Sequence, residues 1–222
     1  MRESVKAVVF DMDGIIFDSE RLVIDCWKVV ADKYGIQDIE KVCDECLGVN
    51  SVETKEIFLN HYGQDFPYDA YKDEMSKLYH DNYDGGRLPM KTGVVELLQY
   101  IKEKDLKVAL ASSTRSQVVT QQLLDAGILE YFQVVIGGDM VTRSKPQPDI
   151  FLKACEELGV APEESFAIED SYNGIRAAAA GHLRPLMVPD LMPPTSEMKE
   201  LSEGIFDTLL EVKEYLREIL NV

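Results

Sequence analysis

The ten residues from Val5 to Gly14 read VKAVVFDMDG: hydrocarbon first, then acid, then glycine. Val5 to Phe10 is a short, valine-rich run, too brief for a helix and suited to a strand buried on both faces. It leads directly into Asp11-Met12-Asp13-Gly14. Side chains alternate along an extended backbone, so Asp11 and Asp13 are expected on one side. Gly14 then lets the chain turn sharply just past the two acids.

Outward from this stretch the same pattern recurs. Further strands are expected at Lys107 to Ala111, Val134 to Ile136, Phe166 to Ile168 and Pro185 to Val188, with helical patterns at Val94 to Lys104, Gln117 to Ala126, Asp149 to Leu158 and Tyr172 to Ala180. Strands alternating with helices across short turns imply right-handed crossovers and a parallel sheet. The expected fold is therefore α/β, a doubly wound, Rossmann-like core that binds ligands beyond the carboxyl ends of its strands.

One segment breaks the alternation. Ser19 to about Tyr83 is helical in pattern throughout and reads as a cap inserted after the first strand, divided at Phe66-Pro67 and closed by Asp84-Gly85-Gly86 and Pro89. The resulting partition is a core of residues 1–17 and 86–222 and a helical cap of residues 18–85. Tyr62, Phe66, Tyr68, Tyr71, Tyr79 and Tyr83 read as the core of the cap rather than a ligand cage. Leu209 to Leu220 reads as an amphipathic closing helix.

Composition narrows the function. The 222 residues, 45% hydrophobic and 28% charged, suffice for one compact domain with a sizeable insertion or for two small ones. Forty acidic residues against 23 basic ones give a net charge of −17, which repels nucleic acid and anionic lipid. Neither is expected as a partner, and a phosphate-bearing substrate would need a cation supplied locally. Arg2, Glu3 and Lys6 interrupt the first apolar run, and no stretch reaches the ~18 apolar residues of a membrane span. A cytoplasmic monomer is the expectation. Cys43 and Cys46 form one C-x-x-C without a second pair or histidine ligands, so they read, with Cys26 and Cys155, as reduced thiols.

The strand ends carry the chemistry. An acid pair alone is as well explained by a solvated loop. Ser112-Ser113-Thr114 after the second strand is suited to donating to phosphate oxygens, or simply to capping a helix. Lys145, after the third, offers a point charge, although an isolated lysine is ordinarily a surface residue. Glu169 and Asp170, after the fourth, are hard oxygen ligands of the kind Mg2+ prefers, or else helix caps together with Ser171. An acid pair, a hydroxyl, a lysine and a second acid pair at four successive strand ends make a joint arrangement that local capping does not explain.

The segments DMDGIIFDSE, ALASST, KPQPDIF and AIEDSYNGIRAAAAG resemble, in order, the four motifs of the haloacid dehalogenase superfamily. The likeness is greatest to its subgroup of β-phosphoglucomutases and phosphoglycolate phosphatases. The resemblance implies Asp11 as nucleophile, Asp13 as general acid and base, and Ser112 and Lys145 as phosphate ligands. It also implies Mg2+ held by Asp11, Asp170 and the Asp13 backbone carbonyl, with Glu169 in or just outside the coordination sphere. The turn Gly48-Val49-Asn50-Ser51 is the candidate specificity surface of the cap. The expected activity is hydrolysis of a small phosphorylated metabolite, such as a sugar phosphate, through an aspartyl phosphate. Two alternatives stand beside it. A sugar phosphomutase is disfavoured because Val23 falls where β-phosphoglucomutases carry a histidine, and the turn offers Asn50 and Ser51 in place of an arginine. A phosphoacceptor signalling or binding module is disfavoured by the length of the chain and by the acceptor standing on the first strand.

Overall fold

The computed structural model describes residues 5–47 and 51–220. Six strands form one sheet: β1 (Ala7–Phe10), β2 (Lys107–Ser112), β3 (Val134–Gly137), β4 (Ser165–Glu169), β5 (Arg184–Met187) and β6 (Gly204–Ile205). All neighbouring strands are parallel, in the order β3-β2-β1-β4-β5-β6. Chain order reverses beside β1, so the crevice at its carboxyl end is the natural ligand site of such a sheet. The helices are α1 (Ser19–Tyr34), α2 (Ile39–Glu45), α3 (Ser51–Tyr62), α4 (Tyr68–Tyr83), α5 (Val94–Glu103), α6 (Ser116–Asp125), α7 (Asp149–Leu158), α8 (Tyr172–Ala180), α9 (Ser196–Leu201) and α10 (Leu209–Leu220).

The central position of β1 explains its composition. Val8 and Phe10 join a cluster with Leu97 and Ile101 of α5 and Val212 of α10, whereas Ala7 and Val9 join Phe151 of α7 and Ala177 of α8 on the opposite face. Both faces are covered, so the strand is apolar without alternation. Small residues line the second face (Ala7, Ala109, Ala167, Ala177, Ala178), which lets α7 and α8 approach closely.

The sequence-based strand limits need modest correction. β1 begins at Ala7 rather than Val5, and β5 runs from Arg184 to Met187 rather than Pro185 to Val188. More consequentially, Ser112 and Glu169 are the last paired residues of β2 and β4, opposite Gly137 and Met187, rather than loop residues beyond them. The two-residue β6 at the sheet edge and the short α9 were not anticipated, because neither is long enough to establish a period.

Helices α1 to α4 follow one another between β1 and α5. Their interior is aromatic: the Trp27 ring lies 4.9 Å from that of Tyr71 and 5.0 Å from that of Phe58, and the Tyr71 hydroxyl donates to the Trp27 carbonyl at 2.7 Å. Tyr68, Tyr71 and Tyr79 are buried there, and none of the six aromatics assigned to this interior from the sequence lines the main cavity. Two connecting segments join these helices to the sheet. They are paired to each other, Asp18 N–H donating to the Pro89 carbonyl and Lys91 N–H to the Ile16 carbonyl. Among the described residues no helix is long and apolar enough to cross a membrane.

Candidate active site

The turn beyond β1 arranges the first two acids. The Asp11 amide still donates to the Ile168 carbonyl at 2.9 Å, continuing the ladder, and the Met12 carbonyl accepts from Ile16 and Phe17 to close the turn. Met12 is buried in the core, while Asp11 and Asp13 both line the cavity, as alternation requires. Gly14 adopts φ +76°, and a Cβ there would stand 2.3 Å from an Asp170 carboxylate oxygen. Conformation and close approach both demand glycine.

Lys145 is far from a solvated surface lysine: its side chain is 7% exposed. Its ammonium group donates to Asp11 Oδ1, to Glu169 Oε1 at 2.6 Å and to the Ala111 carbonyl at 3.1 Å. The sequence could not indicate this burial, because the partners lie 134, 24 and 34 residues away. Desolvation works against the charged lysine, but the charges of Asp11 and Glu169 outweigh it and raise its pKa.

Glu169 is immobilised at both oxygens. Oε1 accepts from Lys145, and Oε2 accepts from the Asp170 and Ser171 amides and the Ser171 hydroxyl at 3.0 to 3.1 Å. Ser171 also caps α8 by accepting from the Gly174 amide. Gly174 itself packs so tightly on Glu169 that a Cβ would fall within 2 Å of the carboxyl group, a constraint the sequence did not reveal. Asp170, by contrast, is buried with no hydrogen-bond donor on its carboxylate among the described residues. Burial pushes its pKa well up, reinforced by the nearby carboxylates of Glu20, Glu169 and Asp11.

Asp11 is likewise buried. Desolvation raises its pKa well above the ordinary range against the opposing pull of Lys145, and its Oδ2 accepts no hydrogen bond among the described residues. Asp13 accepts from the Ser19 hydroxyl at 2.6 Å and from the Thr114 hydroxyl at 3.2 Å. Desolvation nevertheless prevails and raises its pKa too. Single oxygens of Asp11, Glu169 and Asp170 lie within 4.8 Å of one another, all buried. The Asp13 carboxylate stands outside this group, held by the two hydroxyls instead.

Ser112 is fully buried beneath the cavity wall, its oxygen accepting from the Thr114 amide at 3.1 Å, which leaves its proton for another acceptor. Ser113 and Thr114 reach the wall itself. Of the cap turn singled out from the sequence, Ser51 lines the cavity, and Gly48, Val49 and Asn50 lie outside the described residues. Sequence reasoning did not find Ser19 or Glu20, both on the cavity wall; the only signal was their place directly after the acid motif. Glu20 is held up to about 7, first by burial and then by the charges of Asp13 and Asp190. The cavity measures about 580 Å³. Among the described residues lining it stand the five carboxyl groups of Asp11, Asp13, Glu20, Glu169 and Asp170, with Lys145 as the one cation.

The comparisons with known proteins agree with this geometry. A family profile described as haloacid dehalogenase-like hydrolase matches residues 8–188, from the second residue of β1 to just past β5. The chain belongs to the haloacid dehalogenase-like hydrolases. Within that family it is 32% identical over 222 residues to a phosphorylated carbohydrates phosphatase of Thermotoga maritima, covering 98% of this chain and 100% of the relative. It is 30% identical over 204 residues to a β-phosphoglucomutase of Bacillus subtilis, covering 85% and 88%. The crystal structure of CbbY from Rhodobacter sphaeroides in complex with phosphate superposes with a TM-score of 0.77 at 26% identity, over 94% of this chain and 96% of that one. As a haloacid dehalogenase-like hydrolase with phosphatases among its relatives, the protein falls in the class of phosphoric monoester hydrolases.

Proposed function

We propose that the protein is a Mg2+-dependent phosphatase of a small phosphorylated metabolite, of the size of a sugar phosphate, with Asp11 as nucleophile. The observation that carries this reading is that two largely buried acids, Asp11 with one oxygen and Asp170 with its whole carboxylate lacking a hydrogen-bond donor among the described residues, face one cavity. Burying carboxylates without compensation is unfavourable, and one ammonium group does not balance the set. Hard oxygen ligands in surplus of positive charge suit a small divalent cation. Asp11 and Asp170 would hold it together with the Asp13 backbone carbonyl, and Glu169, already bonded at both oxygens, would act from behind them. Bound there, Mg2+ supplies the positive field that lets an anionic phosphate approach a carboxylate.

The remaining roles follow from the chain's own groups. Lys145 orients the Asp11 carboxylate; one of its oxygens attacks phosphorus in line while the other is left to hold the cation, so that the alkoxide is displaced and an aspartyl phosphate forms. Asp13, its pKa raised, carries a proton to the departing alkoxide and then takes one from the water that breaks the acyl phosphate. The Ser112 hydroxyl donates to a phosphate oxygen. Residues 18–85 act as a cap domain that keeps bulk water from the site.

Hydrolysis is favoured over mutase chemistry by the lining charges. A phosphomutase works through a sugar bisphosphate, whose second phosphate needs a cation of its own, and among the described residues Lys145 is the only cation on the cavity wall. A metabolite phosphatase screen with Mg2+ tests the proposal. Phosphate release abolished by chelator, and reduced at least about 10³-fold in Asp11→Asn, is the expected result; isomerisation of glucose 1-phosphate outpacing its hydrolysis would replace phosphatase by mutase.

A further inference from the structure

Much of the cavity lining is built of side chains that phosphoryl transfer does not use. Val23, Ile24 and Trp27 share one face of α1, and Cys46 and Leu47 follow directly from α2 to complete the wall. Val23, Ile24 and Cys46 pack against the helical interior on one side, but like Leu47 they are only partly buried and leave hydrocarbon and thiol surface on the cavity. Trp27 stiffens this wall from behind, its ring 5.0 Å from Phe58 and 4.9 Å from Tyr71. Burial holds the Cys46 thiol up to about 11, so it faces the cavity as a neutral group. Glu20 stands on the same face of α1 one turn earlier, next to Ser19; beyond it, among the described residues, the lining from α1 and the end of α2 bears no charge, and the polar side chains that α3 adds are the Ser51 and Thr54 hydroxyls.

We propose that the leaving group of the substrate is amphipathic: polar next to the phosphate, and hydrocarbon-rich where it meets Val23, Ile24 and Leu47. The proposal rests on the phosphatase reading and deepens it, naming a monophosphate with an alkyl, aryl or deoxygenated distal half over a fully hydroxylated one. A hydroxyl pressed on this wall loses its water without finding a partner, whereas a methylene loses nothing. Discrimination of this kind in apolar pockets runs to roughly 10- to 200-fold per methylene-sized difference. A second phosphate is disfavoured on the same wall, which among the described residues offers no cation to receive it.

The test compares kcat/KM with Mg2+ for hexyl phosphate and sorbitol 6-phosphate, six-carbon esters that both leave as primary alkoxides. The polyol is the better leaving group, so the chemical bias runs against the proposal. Hexyl phosphate is expected to be preferred at least about tenfold. Val23→Thr keeps the shape of valine and adds a hydroxyl; it and Leu47→Asn are each expected to reduce that preference about fivefold or more, through KM for hexyl phosphate rather than kcat. A preference for sorbitol 6-phosphate, or a preference unmoved in both variants, overturns the inference while leaving the phosphatase intact. Absence of Mg2+-dependent release from both esters and from p-nitrophenyl phosphate overturns the phosphatase reading itself, and the inference with it.

Discussion

At the scale of single residues, the site is a set of buried acids held together by one ammonium group. Lys145 touches Asp11 and Glu169 at once, and removing one member of such a pair strands the others in a poorly solvated place. Lys145→Met is therefore expected to lower stability by about 3–5 kcal/mol in chelator, with part of the loss restored by Mg2+. Urea unfolding with and without Mg2+ checks this, and parent-like stability in chelator would contradict it. Glu20 makes a prediction in pH. Its folded pKa, about 7, lies above the ordinary glutamate value near 4.3. Folding then holds its proton more tightly than the unfolded chain does, so its contribution is full below the unfolded value and is lost as pH rises through about 7. Glu20→Gln removes that loss. Thermal melts in chelator are expected to show the variant gaining on the parent between pH 5 and pH 8; a difference that is the same at both ends would refute the assignment.

At the scale of elements, the turn from β1 into α1 is the least tolerant piece of backbone. Gly14 combines φ +76° with a Cβ position already occupied by Asp170, and left-handed geometry alone strains other residues by about 1–3 kcal/mol. Gly14→Ala is expected to displace Asp170 and reduce turnover at least about 100-fold; steady-state kinetics with saturating Mg2+ measures it, and unchanged kcat would show the contact to be slack. The same turn shows what was legible beforehand. VKAVVF could be read as a doubly buried strand because the two-faced core leaves no room for alternation, and strand-end chemistry follows once the sheet is parallel. Asp11, Asp13, Lys145, Glu169 and Asp170 were found in this way, and the structure brings all five to one cavity. Less could be read where a residue's meaning comes from distant partners. The burial of Lys145 and the ion pair of Lys91 with Asp190, 99 residues apart, depend on crossovers that bring distant strands together, while the packing of Gly174 on Glu169 depends on the turn from β4 into α8. Local sequence also gave Ser112 and Thr114 as neighbours without showing that only Thr114 reaches Asp13.

At the scale of the whole molecule, the excess of negative charge is concentrated functionally as well as numerically. A chain of net charge −17 would meet an anionic substrate at a cavity whose walls, among the described residues, carry five carboxyl groups and one lysine. Screening by salt acts weakly on groups this buried, so attraction must be supplied from within the site. On the proposed reading the helical segment and the sheet divide the work: strand ends would hold the phosphate chemistry, and α1 with the end of α2 would meet the rest of the substrate. Every role proposed for the site depends on Asp11 carrying the phosphoryl group during turnover. Borohydride quenching of the enzyme at work, followed by peptide mass spectrometry, tests it most directly. Conversion of Asp11 to homoserine only when substrate and Mg2+ are both present is the predicted result; sustained phosphate release with Asp11 unmodified would contradict the account.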